Sequence, residues 1–168
     1  MMRIVAAVVF AFAALPAHAA LAPKASIAEP ALQQCIEGII AQRGSGEDSG
    51  SSTALLTDCI GVGTNACQND VGDVSAKVLV ACDENERAFW AMLAGYALGE
   101  LRTSLRGAGL AGLEHEEAAW PPWLKARCDF VRLSIADPEQ SQLESSWCVM
   151  ETTGEHAIDL VLALPGLS

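Results

Sequence analysis

The sequence is short of positive charge: ten Lys and Arg stand against 21 Asp and Glu, for a formal net charge of −11. The few basic residues are scattered rather than clustered, which excludes a nucleic-acid backbone as partner. Paired metal ligands are also missing. No two cysteines lie closer than Cys59 and Cys67, neither has a histidine beside it, and no CxxC or CxxCH occurs. A structural zinc site and a c-type haem are therefore not expected, and no metal or other cofactor is assigned. His115-Glu116 lacks the second histidine of a zinc protease, since position 119 is alanine, and no Gly-x-Ser-x-Gly elbow is present. Gly61-Val62-Gly63 has neither a preceding strand nor the third glycine of a dinucleotide fingerprint, so it reads as a helix stop. The remaining acid–base candidates are His115, His156 and nearby carboxylates. Adjacent carboxylates such as Glu114, Glu116 and Glu117 on a helix form a solvated face more often than a catalytic pair, and no catalytic residue is assigned. No stretch alternates at period two, which leaves helices as the building material.

What is present begins with Arg3, an apolar run from Ile4 to Leu15, Pro16, and Ala17-His18-Ala19. This is the pattern of a secretory signal peptide over residues 1–19, with cleavage after Ala19 or, as the near alternative, Ala20. The run is about a dozen residues, where a membrane span takes about 20. No cysteine follows the cleavage site to take a lipid anchor, and no later run is long enough to span. The expectation is a periplasmic or secreted protein in which residues 20–168 form a single domain. Removing the leader leaves nine bases against 21 acids, a formal charge of −12. Such a field draws in a basic protein partner.

The six cysteines, at 35, 59, 67, 82, 128 and 148, all lie in the exported part, where an even count reads as a disulfide framework. Pro30 opens a first helix whose stripe is Leu32, Cys35, Ile36, Ile39 and Ile40, ended by Gly44. Residues 44–52 contain no apolar side chain and form a solvated, flexible loop. Leu55, Leu56, Cys59 and Ile60 make a second short helix that stops at Gly61, and Cys67 to Asp73 is a polar connector. Ser75 can cap a helix running to about Arg106, roughly 30 residues and about 45 Å. On it Cys82, Phe89, Met92, Leu93 and Tyr96 form the apolar stripe, with Asp83, Glu84 and Arg87 facing away. Gly95 and Gly99 within it imply close packing against a neighbour. A further helix carries Glu114, His115, Glu116 and Glu117, is kinked or broken at Trp120-Pro121-Pro122-Trp123, and continues to about Ala136. Leu143, Trp147, Met150, Ala157, Val161 and Leu164 trace the last, with a weak turn at Gly154 and an end at Pro165-Gly166.

The fold class is therefore all-α, a disulfide-stapled antiparallel helical bundle with one long central helix. Six cysteines allow fifteen pairings. An antiparallel path favours the sequential set, Cys35 with Cys59, Cys67 with Cys82 and Cys128 with Cys148, because each pair joins neighbouring elements.

A cysteine upstream, then Cys82 followed by Glu86-x-x-Phe89-Trp90-x-x-Leu93-x-x-Tyr96, Trp120 eight residues before Cys128, and Cys148 opening a helix with Thr152 and Thr153 together resemble the LprI-like lysozyme-inhibitor family. The resemblance runs from about Cys59 to Leu164. It implies a small helical protein of the bacterial envelope and inhibition of lysozyme. The chain departs from the family pattern at Ala91, at Leu93-Ala94 and at Leu124. For contact with a basic hydrolase such as lysozyme, Glu114, Glu116, Glu117, Trp120 and Trp123 offer acidic groups beside aromatic anchors, while the alternative places both tryptophans in the core. The competing function is a non-catalytic structural or adaptor domain of the envelope.

Overall fold

A computed structural model describes residues 28–44, 56–72 and 75–165. The expected leader, its cleavage site and the loop of 44–52, Gly44 excepted, lie outside them. The described residues contain no strand and form five helices: α1 (Ala28–Gly44), α2 (Val62–Val71), α3 (Ala76–Ser104), α4 (Ala108–Leu133) and α5 (Pro138–Leu162). No helix among them is long and apolar enough to cross a membrane.

Helix α3 is the long central element and packs against α1, α2 and α5, whereas α4 docks on α5. Helices α2 and α3 run antiparallel, as do α4 and α5. Helices α3 and α5, one element apart, run parallel: Asp83 meets Ser146 near one end and Trp90 meets Gly154 farther along. Trp90, Ala94, Ala97 and Leu101 of α3 join Met150, Ala157, Ile158 and Leu160 of α5 in one buried cluster, closed at one side by Leu32 and Ile39 of α1. Each large apolar side chain taken fully from water contributes roughly 1.5–3 kcal/mol, so this α3–α5 seam is the main source of stability. The cysteines pair sequentially: Cys35–Cys59, Cys67–Cys82 and Cys128–Cys148, with Cα separations of 5.8, 5.7 and 5.7 Å.

Five local expectations are corrected. The buried face of α3 is Asp83, Glu86, Trp90, Ala94, Ala97 and Leu101, at spacings of three and four, with Cys82 beside it. Met92 and Tyr96 are 49% and 43% exposed instead, and Phe89 and Leu93 are half-buried. The helix is rotated because two carboxylates, Asp83, expected to face outward, and Glu86, are needed inside. Second, the segment expected as a helix stop and polar connector is α2, whose start at Gly61, in the left-handed region with φ 91°, is capped from another helix. Third, Gly95 and Gly99 are exposed, and a Cβ at either would meet open space. The close approach falls at Gly154, where a Cβ would lie 3.0 Å from Ile60 and 3.3 Å from the Trp90 indole nitrogen. Fourth, α5 consequently runs unbroken through Gly154. Fifth, α4 runs unbroken through Pro121 and Pro122, although these lack the N–H groups that the carbonyls of Glu117 and Ala118 would otherwise accept. Its length is secured on both sides of the prolines, by burial of Leu113 and by the Cys128 bridge.

The turn into α5 is well specified. Asp137 is the N-cap and accepts from the Gln140 N–H at 2.8 Å, and Pro138 takes the first helical position, where a missing N–H leaves nothing unpaired. Ser141 donates its hydroxyl to the Arg132 carbonyl at 2.6 Å and ties the end of α4 to the start of α5. Asp137-Pro138 thus starts a helix as well as ending one.

Candidate functional site

The most buried polar groups lie where α2 meets α3. Glu86 is 0% exposed and accepts three hydrogen bonds. Its Oε1 takes the Gly61 N–H at 2.6 Å and the Trp90 indole N–H at 2.9 Å, and its Oε2 takes the Thr64 N–H at 2.6 Å. The first turn of a helix presents unpaired N–H groups and a partial positive charge, and here the anion that satisfies them is a side chain of the next helix. Gly63 leaves room for it, since a Cβ there would sit 2.8 Å from Leu32 and 3.1 Å from Glu86 Oε2. Asp83, one turn earlier, accepts from the Thr64 hydroxyl at 3.4 Å. Burial pushes its carboxyl up to about 6 against the opposing pull of the nearby Ser146 and Thr64 hydroxyls, and the nearby charges of Glu86 and Glu84 add to the rise. Every oxygen of Glu86 is occupied by the protein itself, so this node fixes α2 on α3. Sequence reasoning turned Asp83 outward and gave Glu86 no structural task; the signal that could have found Glu86 is its position one turn before Trp90, together with a glycine-flanked helix start in need of an anion.

The five residues expected to meet a partner are divided by the structure. Glu114 accepts from Arg102 Nε at 2.8 Å and Nη2 at 3.2 Å, and the guanidinium holds its carboxyl below the usual range. Glu117 turns inward, its Oε1 3.0 Å from His156 Nε2, an ion-pair distance without hydrogen-bond alignment. Trp120 is half-buried and stacks on the His156 ring at 3.9 Å with 12° between planes. Glu116 is exposed, and Trp123 is 48% exposed, tilted against Trp120 at 5.1 Å and covered by the Arg127 guanidinium at 5.5 Å. Trp120 thus follows the packing alternative, and Trp123 remains outside. A histidine held by a carboxylate is the orienting half of an acid–base pair. With Trp120 against its ring face and only 6% of its side chain exposed, His156 here locks α4 to α5.

The acidic surface lies elsewhere, on α5. Glu144, Glu151, Glu155 and Asp159, spaced seven, four and four, fall on one side of the helix over roughly 22 Å. Glu144, Glu155 and Asp159 are exposed, Glu151 is half-buried, and α5 contains no Lys or Arg at all. Sequence reasoning missed this stripe. Beside the α4–α5 turn an open cleft of about 420 Å³ is lined by Val80, Glu84, Arg132, Ser141, Gln142 and Ser145, among others. It brings together hydroxyls, one carboxylate paired with Arg87 and one guanidinium near Asp129. Among the described residues no group of three or more His, Cys, Asp or Glu is placed to hold a metal ion. No family model matches the chain, and comparison with characterised proteins and with solved structures finds no match.

Proposed function

We propose that this chain is an exported binding protein that blocks a basic, lysozyme-type glycan hydrolase, and that it meets this partner with the outer side of α5. One observation carries the reading. A helix with five carboxylates and no base presents four of them on one side, in a protein whose formal charge is already −11. Opposite charge at this density raises the association rate with a basic enzyme, and a bundle held by three disulfides presents the face with little ordering left to do. Glu114 and Glu117, held by Arg102 and His156, leave Glu116 as the outlying acidic contact on α4.

The experiment is inhibition of a basic lysozyme by the oxidised protein at low salt, repeated as salt screens charges beyond about 8 Å at physiological ionic strength. Inhibition should fall with salt, and Glu151→Lys with Glu155→Lys should weaken it about tenfold, chiefly through the association rate. Absence of binding and inhibition at low salt overturns the reading. The alternative, a non-catalytic adaptor of the envelope, is favoured by one observation: Phe130 and Leu133 are each 73% exposed on α4.

A further inference from the structure

Helix α4 packs on α5 through one side only, carrying Leu113, Glu117, Trp120, Leu124 and Cys128. The other side is exposed and largely apolar. Trp123, Phe130 and Leu133 alternate there with Gly112, Ala119 and Ala126, all six exposed and, at 100° per residue, within a sector of roughly 80°. Single exposed apolar residues are ordinary; an aligned row over five turns is an interaction surface. We propose that this face pairs antiparallel with the same face of a second copy of the chain, across a two-fold axis passing between Pro122 and Trp123.

Two features select a second copy over another partner. The first is shape. About that axis Leu133 falls opposite the partner's Gly112, Phe130 opposite the partner's His115, and Trp123 opposite the partner's Pro122. Ala126 meets the partner's Ala119, so two small residues let the backbones approach on either side of the axis. The second is charge. The first half of α4 carries Glu114, Glu116 and Glu117 with no Lys or Arg, and the second half carries Lys125, Arg127 and Arg132 against one acid, Asp129. Antiparallel pairing puts like flanks together, so Glu116 comes within a turn of the partner's Arg127, and symmetry makes the contact twice. A strongly basic partner on this face would instead press against Arg127 on its flank. This surface is therefore distinct from the acidic side of α5, and a dimer would leave both copies of that side exposed.

The test is sedimentation equilibrium of the oxidised chain at roughly 100 µM, where a micromolar Kd gives mainly dimer. Phe130→Glu and Leu133→Glu should each give a monomer with unchanged helicity and intact disulfides, because both side chains are already in solvent. Glu116→Arg alone and Arg127→Glu alone should each weaken the dimer about tenfold. Combining them should restore it, an outcome that only contact between these two positions across copies produces. A monomer at this concentration, a dimer indifferent to Phe130→Glu, or a charge exchange that fails to restore association overturns the proposal. A monomer that binds a basic hydrolase and loses that binding on Phe130→Glu assigns the face to a foreign protein instead.

Discussion

Glu86 is the residue on which the first half of the molecule turns. Taking a carboxylate out of water costs several kcal/mol unless its lone pairs are filled, and three N–H donors, two of them from the open end of α2, fill them. Glu86→Gln tests this directly. The amide can accept at one end only, and its NH2 must face either the Thr64 N–H or the Gly61 and Trp90 N–H pair, donor against donor. The variant should lose roughly 2–4 kcal/mol in denaturant unfolding; a midpoint like that of the parent would show that α2 does not depend on this cap. Asp83 gives a different signature because its folded pKa, about 6, lies above the ordinary 3.8. The folded state binds its proton more tightly than the unfolded state does. Its stabilising contribution is therefore complete below about 3.8 and is lost as pH rises through about 6. Asp83→Asn keeps an acceptor for Thr64 and removes the charge. It should raise stability at pH 7.5 by on the order of 1–2 kcal/mol and flatten the dependence between pH 4 and 7. An Asn variant no more stable than the parent at pH 7.5 would count against a strained Asp83 charge.

At the level of helices, glycine position separates packing from chance. Gly95 and Gly99 lie on the solvent side of α3 with open space at the Cβ position, so alanine at either should stabilise the protein by about 0.5–1 kcal/mol through helix propensity. Gly154 is the opposite case. Alanine there presses on Ile60 and on the Trp90 nitrogen that donates to Glu86, and thermal melts should show that gain cancelled or reversed. If Gly154→Ala stabilises as much as Gly95→Ala, the α3–α5 contact is looser than the described seam. The start of α3 after Ser75 and the sequential bridges were legible because each rests on local pattern or on chain order. The buried side of α3 was not. Counting apolar residues favours Phe89, Met92, Leu93 and Tyr96, and the burial of Asp83 and Glu86 depends on the Thr64 hydroxyl and N–H, which α2 supplies from about 20 residues away. The unbroken course of α4 through two prolines is likewise set by anchors at Leu113 and Cys128, outside the dipeptide. The acidic stripe of α5 shows the same division at the candidate site. Its spacing is visible in the sequence, but which side of α5 faces outward is decided by α3 and α4 packing on the others.

Across the whole molecule, covalent and non-covalent connections follow different maps. The bridges Cys35–Cys59 and Cys67–Cys82 staple α1 to the start of α2 and α2 to α3, and Cys128–Cys148 staples α4 to α5. None passes from the first three helices to the last two. Those two parts are joined covalently through residues 105–107, where α3 gives way to α4 at Gly107, φ 56°. Yet the largest buried seam, from Trp90 to Leu101 against Met150 to Leu160, lies between them. The bridges close loops of 24, 15 and 20 residues, each contributing about 3 kcal/mol by restricting the unfolded chain, while the α3–α5 seam must hold by burial alone. A single cut between Arg106 and Gly107, both exposed, separates the two contributions. In native buffer the nicked protein should elute as one particle, since the seam survives the cut. Under denaturing but non-reducing conditions it should fall into two pieces, and further cuts within either should release no peptide that its own bridge retains. A nicked chain that stays whole without reductant would require a bridge from one part to the other, such as Cys67 to Cys128, and with it a different order of helices around α3.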